Sequence, residues 1–218
     1  MVERKRAPLT RERIVGAAVS LADGADLAAV TMRAVAAELG VEAMSLYNHV
    51  ANRAALVGGM IDAVFGEIEL PGPDVPWRDG VRALAGSTRD ALRRHPWAIG
   101  VMDSRRDPGP ATLRHHDAAL GLLRRAGFSV RGAVRAIGAL DGYVYGSVLA
   151  EQSLPVGADR TVRDAAAEAV LSVSAADYPY LVEAAAAHTG PGSEDPGFDA
   201  QFAFGLELIV DGLEPDAR

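Results

Sequence analysis

The chain has no cysteine in its 218 residues. That excludes a disulfide framework and cysteine metal sites, and it argues against a small extracellular scaffold. No uncharged apolar run is long enough to span a bilayer, and Arg4, Lys5 and Arg6 are not followed by the apolar segment of a signal peptide. The cytoplasm is therefore the expected compartment, with no membrane partner. A glycine-rich phosphate loop is also missing. His115 and His116 are adjacent, and neighbouring positions on a helix point in different directions, so the pair does not form a natural shared metal site. Acid/base pairs such as Asp141 with Tyr143, or Glu151 with His116, come without a nucleophile motif. No metal, no cofactor and no catalytic residue is expected.

What the chain does have is helical periodicity. Its hydrophobic content of 49% is enough for one small module and one larger core. Thr10 to Ala22 carries Ile14, Ala17, Ala18 and Leu21 on one face. Thr31 is placed to cap a second helix with Met32, Val35, Ala36 and Leu39, and Gly40 to stop it. Val41 and Leu46 give the next helix an apolar side, and Asn52 is placed to cap a fourth from Arg53 through Val64. Two short helices joined by a glycine turn are a means of laying one helix in a DNA groove.

After the break Leu70-Pro71-Gly72-Pro73-Asp74-Val75-Pro76, little alternates with the period of strands. Helices are expected at Trp77–Arg94, Ala111–Ala126, Val130–Glu151, Thr161–Val173, Tyr178–His188 and Phe198–Leu213, with Pro96 ending the first and Gly127 the second. The fold class is all-α. An N-terminal three-helix helix-turn-helix domain over residues 1–52, with a short basic arm, precedes a larger helical regulatory and dimerisation domain over 53–218.

The net charge of −7 is unusual for a nucleic-acid binder until the charges are located. Residues 1–60 hold seven Arg or Lys against six Asp or Glu, so the acidity lies almost wholly in the rest of the chain. Basic groups at the N-terminal module can still meet phosphate.

The run T-M-R-A-V-A-A-E-L-G-V, followed by L-Y-N-H-V and R-A-A-L, closely resembles the DNA-binding domain of the TetR family of bacterial transcriptional regulators, over nearly all of residues 10–60. The resemblance implies double-stranded operator DNA as a partner. It puts Arg33 at a position that reaches a base edge or the backbone. Ala43, Met44 and Ser45 fall at the groove-facing start of the recognition helix, with Asn48 further along it. Tyr47, His49 and Arg53 match phosphate-facing positions, and Thr31 adds a hydroxyl on the same side. Arg33, Met44 and Ser45 are the specificity candidates. Ala43 and Asn48 depart from the glutamine and tryptophan of the tetracycline-binding members, so a different operator is expected. Packing alone is the competing reading for Tyr47, and simple solvation for Arg53.

Gly127 to Gln152 and Phe202 to Glu214 resemble two helices of the same family's C-terminal domain, which there build a four-helix interface between subunits. A homodimer is implied, with Val134, Leu140, Val144, Phe204, Leu206, Leu208 and Ile209 as interface candidates. Ordinary monomer core is the alternative. Leu84, Thr88 and Met102 stand where the tetracycline-binding members carry an asparagine, a phenylalanine and a metal-binding histidine, which disfavours a magnesium-chelated drug. An unidentified apolar or aromatic effector fits Trp77, Leu84, Thr88, Trp97, Met102, His115, His116, Leu120 and Tyr143 better. The expected function is a ligand-responsive transcriptional regulator, a repressor in the first instance. The alternatives are an enzyme of small hydrophobic molecules, or a DNA-binding dimer without an inducer.

Overall fold

The computed structural model describes residues 8–102, 108–153, 173–189 and 197–216. Among them all regular structure is helical. The basic arm Arg4, Lys5 and Arg6, and almost all of the helix expected over residues 161–173, lie outside the described residues.

Caps begin the N-terminal helices. Helix α1 (Arg11–Gly24) starts at Thr10, whose hydroxyl accepts from the Arg13 amide at 3.3 Å. Helix α2 (Met32–Leu39) starts at Thr31, whose hydroxyl accepts from Ala34 N at 3.0 Å. It ends at Gly40, in the left-handed region at φ 64°, a conformation only glycine adopts without cost. Helix α3 is a single turn, Ala43–Leu46, shorter than the periodicity suggests, and Tyr47 to His49 continue as hydrogen-bonded turn. Helix α4 (Arg53–Gly66) is capped by Asn52, which accepts from Ala55 N at 2.8 Å. Ile14, Val30, Val35, Leu46 and Leu56 are fully buried and make the core of this module. Each contributes about 1.5–3 kcal/mol relative to exposure.

Helix α4 buries Leu56, Val57, Met60, Ile61, Val64 and Phe65, more than one stripe's worth. The reason is that it is packed on two sides, against α1 and against α6 (Pro110–Arg125). It is therefore the element common to the N-terminal module and the helices that follow. Helix α5 (Trp77–Arg94) spans the range its periodicity predicts and turns Val81, Ala85, Thr88 and Leu92 inward. Gly80 lets α5 approach α6 closely, since a Cβ there would lie 2.8 Å from Leu122 Cδ1. A short 3-10 turn, Pro96–Ala98, follows the end of α5.

By packing, the chain divides into two units: residues 1–141 with 214–218, and residues 142–213. Helix α7 (Val130–Ser153) passes from the first to the second. Within the first unit, Asp216 returns to the start of α7 and accepts from Ser129 N and Oγ, both at 2.8 Å. These hydrogen bonds hold its carboxyl below the usual carboxylate range. The second unit also contains α8 (Pro179–Thr189) and α9 (Gly197–Gly212). Its core includes Val144, Val148, Phe202, Leu206 and Val210, with the Tyr143 ring stacked on Phe202 at 5.5 Å.

Candidate nucleic-acid interface

The surface expected to face the groove is built by the turn between α2 and α3. Val41 N reaches Ala36 O at 2.9 Å and Gly40 N reaches Ala37 O at 3.1 Å, which closes α2 and starts α3 at a fixed angle. Leu46 and Val50 are buried and pin α3 from beneath. The opposite side is therefore outward: Met44 is 75% exposed and Tyr47 46%, and Asn48 and His49 are also exposed. Arg33 is exposed in the first turn of α2, while Ala43 and Ser45 are half-buried at the edge. The Thr31 hydroxyl is occupied as an acceptor by its capping bond, which leaves its own O–H to donate.

Arg53 has an internal task beside the phosphate-facing one the resemblance implies. Its Nε donates to Val30 O at 2.7 Å and its Nη2 to Leu27 O at 2.8 Å. Two of its donors thus tie α4 to the 3-10 turn Leu27–Ala29 before α2, and the side chain is first a structural clasp.

The effector candidates do not all share one place. Trp77 lies with its edge to Phe128 and the Arg78 guanidinium 4.2 Å over its ring, so its faces are largely taken. Thr88 is buried, and its hydroxyl donates to Leu84 O of its own helix at 2.7 Å. Trp97 Nε1 donates to Asp23 Oδ1 of α1 at 2.7 Å, which ties it to that helix. Tyr143 belongs to the second unit, where its hydroxyl donates to Phe202 O at 2.8 Å. These four thus have partners of their own within the protein. Met102 is buried, and Leu84, His116 and Leu120 are half-buried in the first unit.

His115 is buried at 3% exposure, and neither ring nitrogen has a hydrogen-bond partner. Burial, with the adjacent His116 adding to it, pushes its imidazole down to about 4. Phe65 of α4 meets His115 edge-on at 5.0 Å and His116 at 5.6 Å. A neutral imidazole with one donor and one acceptor is thus enclosed by aromatic surface between α4 and α6. A separate groove of about 1040 Å³ is lined by residues including Arg11, Glu12, Asn52, Asp62, Glu67 and Gly109, and none of the effector candidates borders it.

Among the interface candidates, Phe204 is 68% exposed, Leu208 62% and Val134 56%, while Leu140 and Ile209 are half-buried. Val144 and Leu206 are buried within the second unit.

Sequence reasoning missed His95 altogether. Its ring nitrogens face Asp23 of α1 at 2.8 Å and Glu67, just beyond α4, at 3.1 Å. It also missed Asp62, which accepts from Thr112 at the start of α6. The one local signal was a histidine at the end of a helix, where a positive charge is favoured. Its partners are distant in sequence.

An exposed short helix set by a glycine turn on a helical body defines a DNA-binding regulator. Residues 70–216 match the family described as "Tetracyclin repressor-like, C-terminal domain". The chain is 38% identical over 216 residues to the transcriptional repressor DrrR1 of Streptomyces coeruleorubidus, covering 94% of this chain and 77% of that one. It is 30% identical to the class C tetracycline repressor of Escherichia coli, covering 94% and 91%. The crystal structure of the TetR family protein ActR from Streptomyces coelicolor in complex with actinorhodin superposes with a TM-score of 0.79 at 31% identity, covering 95% and 96%. The chain belongs to the TetR family: it is a transcriptional regulator, not an enzyme.

Proposed function

We propose that this regulator is a ligand-responsive repressor, which binds a palindromic operator as a homodimer in the cytoplasm and releases it when a small apolar or aromatic effector occupies the larger body. Residues 1–52 are the reading domain and 53–218 the regulatory and dimerising one. Arg33, Met44 and Ser45 read bases, while Thr31, Tyr47 and His49 position the domain on phosphates. Two-fold symmetry then sets two α3 turns about one turn of DNA apart, or a multiple of it.

The observation that carries the reading is α4. One side of it packs against α1 of the reading domain, and Phe65 on the same helix meets the unpartnered His115 and its neighbour His116. A molecule bound beside Phe65, with a hydroxyl or carbonyl for His115, acts on the helix that carries the reading domain. It switches the protein only to the extent that it favours the arrangement unable to bind DNA. An aromatic effector is supported by the relative solved with actinorhodin. For dimerisation, the support is the exposed Phe204 and Leu208 of α9, together with Gly142 and Gly146 of α7, which have nothing within reach of an added Cβ.

Selection of genomic fragments with the purified protein at moderate salt tests the reading, followed by mobility shift with and without aromatic compounds that raise its melting temperature. One recovered palindrome whose binding falls with such a compound is the expected result. A specific site that no stabilising compound releases would leave a DNA-binding dimer without an inducer. Diffuse, salt-labile retention alone would remove the reading.

A further inference from the structure

We infer that His95 is a positioning residue for DNA binding: together with Arg94 and Trp97 it straps the end of α5 to the two helices that orient the reading domain. The inference rests on the DNA-binding role proposed above.

The strap consists of two carboxylates gripped by three nearby side chains. Asp23, near the end of α1, offers a single oxygen, Oδ1, to His95 Nδ1 at 2.8 Å and to Trp97 Nε1 at 2.7 Å. Glu67, directly after α4, offers Oε1 to His95 Nε2 at 3.1 Å and Oε2 to Arg94 Nη2 at 2.9 Å and Nε at 3.1 Å. The imidazole is 6% exposed and thus held between α1 and α4 by directed contacts at both nitrogens. Burial works against the charge on Glu67, yet the hydrogen bonds from Arg94 and His95 outweigh it and keep its carboxyl below the usual range.

The choice of groups is informative. A neutral imidazole has one N–H and satisfies one carboxylate while turning a lone pair on the other; a ring carrying both protons donates to both. Two carboxylates facing one buried ring are a poor device for stability alone, because desolvation offsets much of the attraction and an apolar contact of equal size holds helices as firmly. Directed bonds fix the angle between elements, which an apolar contact leaves looser. Asp23 directly follows Ala22 and lies just over a turn beyond Ala18, both of them buried on the face of α1 that packs in the N-terminal module. A shift at the end of α5 is therefore passed to α1 through Asp23 and to α4 through Glu67.

The test uses the full chain, taking advantage of its lack of cysteine. Ser20→Cys on α1 and Ala83→Cys on α5, both at exposed positions, take spin labels at unique sites. In this background, His95→Leu, His95→Gln and Trp97→Phe are compared for melting temperature, label-to-label distance, and affinity for a fragment selected from the genome. The expected result is that folded His95→Leu binds about tenfold more weakly, within the usual range of coupling between sites, and broadens the distance distribution. His95→Gln, which keeps one donor and one acceptor, restores part of both, and Trp97→Phe shows a smaller loss. Unchanged distances and affinity in a folded His95→Leu would overturn the inference. If His95→Leu does not fold, Trp97→Phe decides in the same way. If the unsubstituted chain selects no DNA, the DNA-binding reading fails, while unchanged distances would separately overturn the strap and broadened ones would uphold it.

Discussion

The carboxylate of Asp62 on α4 accepts both the amide of Thr112 at 2.9 Å and its hydroxyl at 3.1 Å, so that one side chain caps α6 from the helix shared with the reading domain. The carboxylate meets the positive end of the helix dipole and occupies one of the amides that the first turn leaves without a partner. Asp62→Ala strands both donors and is expected to cost about 1–3 kcal/mol in chemical denaturation. Gly109 is the close approach that makes the contact possible, since an added Cβ there would collide with the Asp62 carboxylate. Gly109→Ala is expected to reproduce much of that loss. A variant that melts like the unsubstituted chain in both cases would show the contact to be incidental.

Arg33 and Arg53 separate phosphate or base contact from internal support. Arg33 is exposed, whereas Arg53 spends two donors on Val30 and Leu27 carbonyls. Arg33→Ala is expected to leave melting unchanged while weakening operator binding; if its partner is a phosphate, the slope of log affinity against log salt falls by about one. Arg53→Ala is expected to lose about 1–2 kcal/mol of stability, with a smaller change in salt slope. Titrating both variants against the selected fragment at several salt concentrations distinguishes them. Reversed effects would return Arg53 to the phosphate group and make Arg33 a bystander.

The local features were legible because their causes lie within a few residues. Thr31 and Asn52 cap amides three positions on, and Gly40 and Gly127 adopt positive φ where a helix must stop. The all-helical class follows from the same periodicities. What escaped the sequence depends on distant partners. Nothing near His95 announces Asp23, 72 positions away, and nothing near Arg53 announces Leu27. Tryptophans and histidines on inward faces were read together as one effector lining, and that reading held no sign of the partners of Trp97 on α1 or of Tyr143 on α9. Periodicity identifies which side of a helix is covered; it carries no information on what covers it.

The exposed apolar side chains of α9 lead to a prediction about assembly. Phe204 and Leu208 are a helical turn apart and both well exposed. If they meet a second copy, Phe204→Asp with Leu208→Asp places charge in a desolvated contact. Sedimentation is then expected to show the 22.8 kDa chain alone, against a species of twice that mass for the unsubstituted protein, with unchanged helicity. Operator affinity falls with the loss of the second half-site. A dimer that survives both substitutions would move the interface off this face.

His115 provides a pH-dependent test of the enclosed aromatic site. Its folded value is lowered to about 4 from the ordinary 6.5, so between those limits the unfolded chain binds more protons than the folded one. Stability from keeping the ring neutral is therefore fully present above about pH 6.5 and is lost as pH falls towards 4. The whole difference amounts to about 3 kcal/mol. His115→Leu removes the titrating group and is expected to flatten that part of the stability curve, measured by urea denaturation from pH 7 to 4.5. The substitution also fills the position with a side chain that has no polar atoms, so the unpartnered nitrogens no longer need an effector group. Stability at pH 7 is then expected to be equal or higher, while the shift in melting temperature produced by a hydroxylated or carbonyl-bearing aromatic effector shrinks. A flattened pH curve with the full effector shift retained would make His115 a buried packing residue and place the hydrogen-bonding end of the effector elsewhere.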